Sequence, residues 1–320
     1  MTCKAPITNM YCSVEGSVSP CWLTIDACDH WSETRSLKNI WFGENFQRWR
    51  ERGCCSLDKA FTDKLRDFTI APVYESNQVK EYPSMLELEL SNQCNFECIM
   101  CDERLSSGIR KRKGLAPLPM AYSDKFVDDV EEMLPHVDEI RLKGGDPFSM
   151  KLAFDIIDRV NDGTEINIAT NGSILNKRVQ EVIKNKNISI NLSLDALTKE
   201  LFEKIRINSN FDTIMKNFYE FKKYCDVRVI VCPMTINWHE MINFVDFCNE
   251  HSVHLGFNTV RYPKHLSIEH MDVDMIEEVF FTMFKQMNAY SYKNYNWEKF
   301  EYLVNTQIRK WMTDKWEKSE

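Results

Sequence analysis

The sequence predicts an α/β fold, a partial (βα)6 barrel, and two observations carry that prediction. From about residue 85 onward, short alternating apolar runs interleave with longer segments of helical period, the order required by a parallel sheet with crossover helices. Several of the runs also place a polar residue at every second position, where a strand sandwiched between helices would be apolar throughout. Such a face lines something wet or ligand-filled in a barrel; its competitor is the solvated face of an ordinary open sheet.

The elements follow in order. Residues 36–51 read as a helix of a separate N-terminal unit, with Ile40, Trp41, Phe46 and Trp49 available for burial. The barrel strands are expected at 85–92, 139–146, 165–171, 189–195, 227–234 and 253–260. Helices are expected near 123–134, 150–160, 175–184, 198–206 continuing through 211–224, and 238–251. Because strand side chains alternate, Ser189, Asn191, Ser193 and Asp195 share one face, as do Glu87 with Glu89, Arg141 with Lys143, and His254 with Asn258. If the first two strands are neighbours, their opposite charges pair across the lumen. Glu87, Glu89, Arg141, Lys143 and His254 are the candidate substrate contacts. After residue 263 the pattern is helical and aromatic, with Ile276, Val279, Phe280 and Phe284 in one stripe and Trp297, Phe300, Val304 and Ile308 in another, a C-terminal helical cap.

Composition narrows the function. A chain of 320 residues that is 43% apolar supplies a continuous core. No apolar run approaches the roughly 18 residues of a membrane span, and the N-terminal residues lack the order of a signal peptide. A cytoplasmic protein is expected. A net charge of −8 argues against a nucleic-acid-binding surface. The run Arg110-Lys111-Arg112-Lys113 is a local exception that reads as a solvated loop or a contact for an acidic substrate. Twelve cysteines are many for a reducing compartment, so metal or redox chemistry leads for the clustered ones. Cys225, Cys232 and Cys248, scattered through apolar stretches, read as small core residues.

Cys94, Cys98 and Cys101 follow the first strand in the loop CNFECIMC. Three thiolates can hold a four-iron cluster by three irons and leave the fourth open. A structural zinc site wants four closed ligands, and no fourth Cys or His stands at customary spacing nearby. A shared helical face is the inert alternative, but Ser91-Asn92-Gln93 after a period-two strand favours a loop.

This loop resembles the signature of the radical S-adenosylmethionine (SAM) superfamily, and the likeness continues in register. Gly144-Gly145-Asp146-Pro147 stands where the family usually has Gly-Gly-Glu-Pro, and Thr170-Asn171-Gly172 and Ser193-Leu194-Asp195 end the next two strands. Arg206 and Asn237 fall at further contact positions. The resemblance implies a TIM-like partial barrel, a [4Fe-4S] cluster on Cys94, Cys98 and Cys101, and SAM held by Gly144, Gly145, Asp146, Asn171, Ser193, Asp195, Arg206 and Asn237. It also implies an electron donor such as flavodoxin or ferredoxin. The implied reaction is reductive cleavage of SAM to a 5′-deoxyadenosyl radical that takes a substrate hydrogen. Met100 replaces the usual aromatic before the third cysteine, and Asp146 the usual glutamate.

Cys3, Gly16 and Cys21, with Leu37-Lys38-Asn39-Ile40-Trp41, resemble the opening half of SPASM and twitch auxiliary-cluster domains, placed here before the barrel. The likeness implies an auxiliary cluster on Cys3, Cys21, Cys54 and Cys55, although adjacent Cys54 and Cys55 depart from the usual spacing and leave Cys12, Cys28 or Asp58 as completing ligands. A zinc ribbon-like site is its competitor. The expected domains are 1–80, 81–262 and 263–320. The resemblance favours oxidative modification of a peptide or protein, with a sugar or nucleoside as alternative substrate and a non-catalytic zinc- or cluster-binding protein as the rival class. Only two residues precede Cys3, so peptide recognition is expected from the barrel, the cap or a separate partner.

Overall fold

The computed structural model describes residues 4–22, 24, 29–52 and 81–319. They fall into two compact units. The first holds the described residues up to Asn95, with Asp102–Thr170 and Ile174–Ser189; the second holds Phe96–Cys101, Asn171–Ser173 and the described residues from Ile190 on.

In the first unit, a short helix α1 (Ala5–Thr8) leads into β1 (Asn9–Cys12), β2 (Ser17–Ser19) and β3 (Asp29–His30), followed by α2 (Leu37–Trp41) and α3 (Glu44–Arg52). The repeating part then runs β4 (Met85–Glu89), α4 (Ser107–Arg112), α5 (Asp124–Met133), β5 (Glu139–Lys143), α6 (Lys151–Arg159), β6 (Glu165–Thr170), α7 (Lys177–Asn185) and the start of β7 (Ile188–Ser193). The strands lie in the order β3-β2-β1-β4-β5-β6-β7. β1 is parallel to β4, with Asn9 opposite Met85 and Cys12 opposite Leu88, so the N-terminal residues extend the sheet beyond its first βα strand. The register of β4 on β5 sets Glu87 against Arg141 and Glu89 against Lys143. Leu86, Leu88, Ile140, Leu142, Ile166 and Ile168 form the buried alternate face.

The single helix expected over 36–51 is two. Gly43 donates to Ile40 O in a tight turn, and a Cβ there would fall 2.9 Å from Asn39 O, so the chain breaks between α2 and α3. Ile40, Trp41, Phe46 and Trp49 are nevertheless all buried. The boundary expected near residue 80 lies outside the described residues.

The second unit continues β7 and adds α8 (Lys199–Ile205), α9 (Phe211–Phe221), β8 (Asp226–Val231), α10 (Met241–Glu250), β9 (His254–Phe257), α11 (Val273–Ala289), α12 (Tyr295–Tyr302), a π-helical turn (Leu303–Ile308) and α13 (Arg309–Ser319). β8 neighbours β7 and pairs in parallel with β9. Asn210 and Asn294 cap α9 and α12 by accepting from Thr213 N and Trp297 N, the side-chain bond that starts a helix. The two C-terminal stripes are buried as expected, except that Met283 and Met287 carry the first one on where Phe284 is half-buried. All six βα units are present, and among the described residues the strand order is linear, without closure.

Candidate active site

In the first unit, the glycine pair after β5 meets the chain leading into the cysteine loop. Gly145 N donates to Ser91 O at 2.9 Å and Asp146 N to Gln93 O at 2.8 Å. A Cβ on Gly145 would lie 2.1 Å from Gln93 O, and one on Gly144, at φ +110°, 2.6 Å from Ser91 O. Only residues without a Cβ allow this approach. This closeness, expected from sequence for a ligand, is met here by backbone packing against the loop. Asp146 is fully buried and accepts from Phe148 N at 3.0 Å and Thr170 Oγ1 at 2.9 Å, capping the turn Pro147–Ser149. Cys94 N donates to Ser107 Oγ at 3.1 Å, and Ser107 Oγ to Cys94 O at 3.2 Å, fixing the half-buried Cys94 against the start of α4.

The polar face of β4 and β5 is charge-compensated. Lys143 Nζ binds the buried Glu87, one step diagonal to its register partner Glu89. Glu89 instead accepts from Tyr11 Oη at 2.7 Å and lies 3.8 Å from Arg104. Arg141 turns back to Glu139 on its own strand at 2.7 Å. The expected pairing across the two strands is made by Lys143 and Glu87. Burial pushes the Glu89 carboxyl up, against the opposing pull of the Tyr11 hydrogen bond and Arg104. Tyr11, on β1, and Arg104, three residues after the last loop cysteine, are site neighbours that the sequence reading did not single out.

In the second unit, residues 96–101 are sewn to the C-terminal end of α8. Glu97 N donates to Ile207 O and Ile99 N to Ile205 O, both at 3.0 Å, and the Asn208 amide reaches Glu97 Oε1. Cys101 N closes a turn on Cys98 O. These bonds flank Arg206. Its Nη1 donates to Cys98 Sγ at 3.7 Å and its Nη2 lies 2.6 Å from Asp195 Oδ2, an ion pair without the alignment of a hydrogen bond. The two side chains are 9% and 0% exposed. Burial works against the Arg206 cation, but Asp195, Cys98 and Cys232 outweigh it and hold its pKa above the ordinary range. Burial pushes the Cys98 thiol up, against the pull of the Arg206 guanidinium.

Asp195 is itself held. Its Oδ1 accepts from Cys232 N at 2.7 Å, while Asn237 Nδ2 bridges Asp195 O and Cys232 O at 2.8 and 3.0 Å. Asn237 Oδ1 accepts from Met234 N at 2.6 Å. The structure thus brings together Cys98, Asp195, Arg206 and Asn237 and adds Cys232, which the sequence reading placed in the core. Its position after β8 was the available signal, since Asp195 and Asn237 also follow strand ends. Ser193 is half-buried at the end of β7, and Asn171 Oδ1 accepts from Ser173 N in a turn. His254 is not in this group: as the first residue of β9 it stands at the strand's amino end, exposed and edge-on to Tyr295 at 4.8 Å.

Of the expected auxiliary ligands, Cys3, Cys54 and Cys55 lie outside the described residues. Cys21 is buried with its sulfur 3.6 Å from Thr24 Oγ1, and burial pushes the Cys12 thiol up within β1. Lys111, Arg112 and Lys113 are exposed at the end of α4, Lys113 bonded to Glu103 at 2.7 Å. Among the described residues, no three His, Cys, Asp or Glu side chains gather as a single-ion site, and no helix is long and apolar enough to cross a membrane.

The donor chemistry fits an iron-sulfur cluster and SAM. The three cysteines of the loop offer thiolate sulfur, which suits the former. Arg206 Nε, buried and without an acceptor, is a donor that a carboxylate such as that of SAM satisfies.

A family profile described as the Radical SAM superfamily matches residues 88–248. The chain is similar to a GTP 3′,8-cyclase of Clostridium perfringens, 26% identical over 181 residues that cover 54% of each chain. It is also similar to a probable GTP 3′,8-cyclase of Methanocaldococcus jannaschii, 27% identical over 177 residues, covering 52% of this chain and 55% of that one. It spans about half the length of these relatives. Among solved structures, Streptococcus suis SuiB bound to S-adenosylmethionine aligns at 17% identity with a TM-score of 0.49, covering 78% of this chain and 55% of that one. With half of its length matched by the family profile, the chain belongs to the Radical SAM superfamily, enzymes whose cofactors are a [4Fe-4S] cluster and SAM.

Proposed function

We propose that Cys94, Cys98 and Cys101 hold the [4Fe-4S] cluster and that the chain abstracts a hydrogen atom from its substrate. When bound, the cluster and SAM supply one-electron cleavage to a 5′-deoxyadenosyl radical. The observation that carries the reading is the clamp on the loop: two backbone bonds to Ile205 and Ile207 set Arg206 on Cys98. Arg206 Nε is then available to the methionyl carboxylate of SAM. Asp195 and Asn237 position Arg206 and the end of β8, Gly144 and Gly145 hold the entry to Cys94, and Asp146, Asn171 and Ser193 are the remaining SAM contacts. The test is anaerobic reconstitution followed by reduction in the presence of SAM. Formation of 5′-deoxyadenosine, lost in Cys98→Ala, supports the assignment; bound zinc without a brown chromophore overturns it.

For the substrate, a peptide or protein undergoing oxidative modification is the first reading. It is supported by the likeness of Cys3, Gly16 and Cys21 to the opening of SPASM and twitch domains, whose enzymes most often act so. The second reading, a nucleotide or other small molecule, is favoured by the names of the relatives. Deuterium transfer from labelled candidates into 5′-deoxyadenosine separates them. The auxiliary cluster with Cys3, Cys21, Cys54 and Cys55, the 1–80, 81–262 and 263–320 division, a flavodoxin or ferredoxin donor and a cytoplasmic location complete the proposal. Iron and sulfide near eight each, as two four-iron clusters require, test the auxiliary site.

A further inference from the structure

We infer that Arg206 is a tuning residue of the cluster loop: clamped by Asp195, its guanidinium donates to the Cys98 sulfur and sets the reduction potential of the cluster held there. This rests on the reading of Cys98 as a cluster ligand. The guanidinium divides its donors three ways. Nη2 faces Asp195, Nη1 faces Cys98 Sγ, and Nε is buried without an acceptor. Hydrogen bonds to cluster sulfurs and the local net charge are two of the means by which a protein moves such a potential. A ligating sulfur is a thiolate, so the N–H···S contact becomes charge-assisted and strengthens.

The direction follows from charge. Reduction adds an electron, so a buried cation and an N–H donor both favour the reduced form and raise the potential. The Asp195 carboxylate, 2.6 Å from the same guanidinium, opposes the cation and lowers it. Asp195 cannot drift, because its Oδ1 takes Cys232 N and its backbone carbonyl takes the Asn237 amide. The ends of β7 and β8 thereby fix how much positive charge reaches Cys98. A plain structural ion pair makes no such distinction between its members: losing either destabilises the fold.

The experiment is a redox titration of the anaerobically reconstituted full chain, followed by electron paramagnetic resonance without SAM, with iron content and thermal unfolding measured in parallel. Arg206→Gln is expected to shift the midpoint negative by a tenfold change in the one-electron reduction constant, about 59 mV. Asp195→Asn is expected to shift it positive, and Arg206→Lys, which keeps the charge but loses the fork, to fall between wild type and Arg206→Gln. If Arg206→Gln does not fold, the opposite signs of Asp195→Asn and Arg206→Lys decide. Clusters present in every variant at one common midpoint overturn the inference, as do shifts of the same sign from the acid and the base. A wild-type chain that holds no reducible cluster overturns the cluster reading and the inference with it.

Discussion

Tyr11 and Glu89, on the neighbouring parallel strands β1 and β4, are joined by a 2.7 Å hydrogen bond from the phenol to Glu89 Oε2. Burial raises the Glu89 pKa from its ordinary 4.5, and the bond from Tyr11 opposes that rise. The fold therefore binds the Glu89 proton more tightly than the unfolded chain does. Its contribution is fully present below the unfolded value and is lost as pH rises through the higher folded value. Urea denaturation across pH 4 to 8 is expected to show wild type losing stability relative to Glu89→Gln as pH rises; a difference that stays flat with pH refutes the account. Tyr11→Phe removes one donor from a largely buried carboxylate, and a loss of roughly 1–3 kcal/mol is expected.

Gly145 separates a packing role from a ligand role. A methyl group there would sit 2.1 Å from Gln93 O, in backbone that cannot swing away like a side chain. Overpacking of this kind costs roughly 1–3 kcal/mol or more. Gly145→Ala is therefore expected to lower stability measurably in the chain without cofactors. Gly163→Ala, where nothing lies within 4 Å, is expected to leave it nearly unchanged. Equal denaturation midpoints for the two variants contradict the packing role.

The βα strands and helices of the repeating part were legible because each rests on local periodicity: β7 buries Ile188, Ile190 and Leu192 and leaves Ser189, Asn191 and Ser193 half-buried, as its alternation requires. β1 was not legible. A four-residue strand buried along its whole length carries no alternation, and its place is set by pairing with β4, far away in sequence. For the same reason nothing local in the sequence marks Tyr11 as the partner of Glu89. The apolar neighbourhood of Cys232 marks it for the core but not its place just past the end of β8, where its N–H meets Asp195. For His254, alternation gives the face of a strand but not the level along it, and this residue stands at the amino end.

Lys143 tests the charge balance of the β4–β5 face. Its partner Glu87 is 1% exposed, and removing one member of a buried pair costs roughly 3–5 kcal/mol. Lys143 itself is about one-third exposed, so a loss toward or below the lower end of that range is expected for Lys143→Met. The double variant Glu87→Gln, Lys143→Met removes both charges and is expected to recover most of the loss. A double-mutant cycle that sums to additivity shows that the two side chains do not depend on each other.

Asn296 ties the C-terminal helices to the outer edge of β9. Among the described residues, β9 pairs with β8 on one side only. On the other, Leu255 N donates to Asn296 Oδ1 at 2.8 Å and Asn296 Nδ2 donates to Val253 O at 2.9 Å. One side-chain amide thus stands in for a missing strand at the start of α12, covering an edge that would otherwise offer itself to another chain. Asn296→Leu keeps the bulk but leaves a buried N–H and a buried C=O without their partner. At roughly 1–3 kcal/mol for each such group, a large loss of stability is expected, together with faster amide exchange at Leu255. Asn296→Asp preserves the acceptor for Leu255 N, loses the donor to Val253 O and buries a charge, so Leu255 is expected to stay better protected than in Asn296→Leu at equal stability. If Leu255 exchanges at the wild-type rate in both variants, the edge is held by packing and not by this amide.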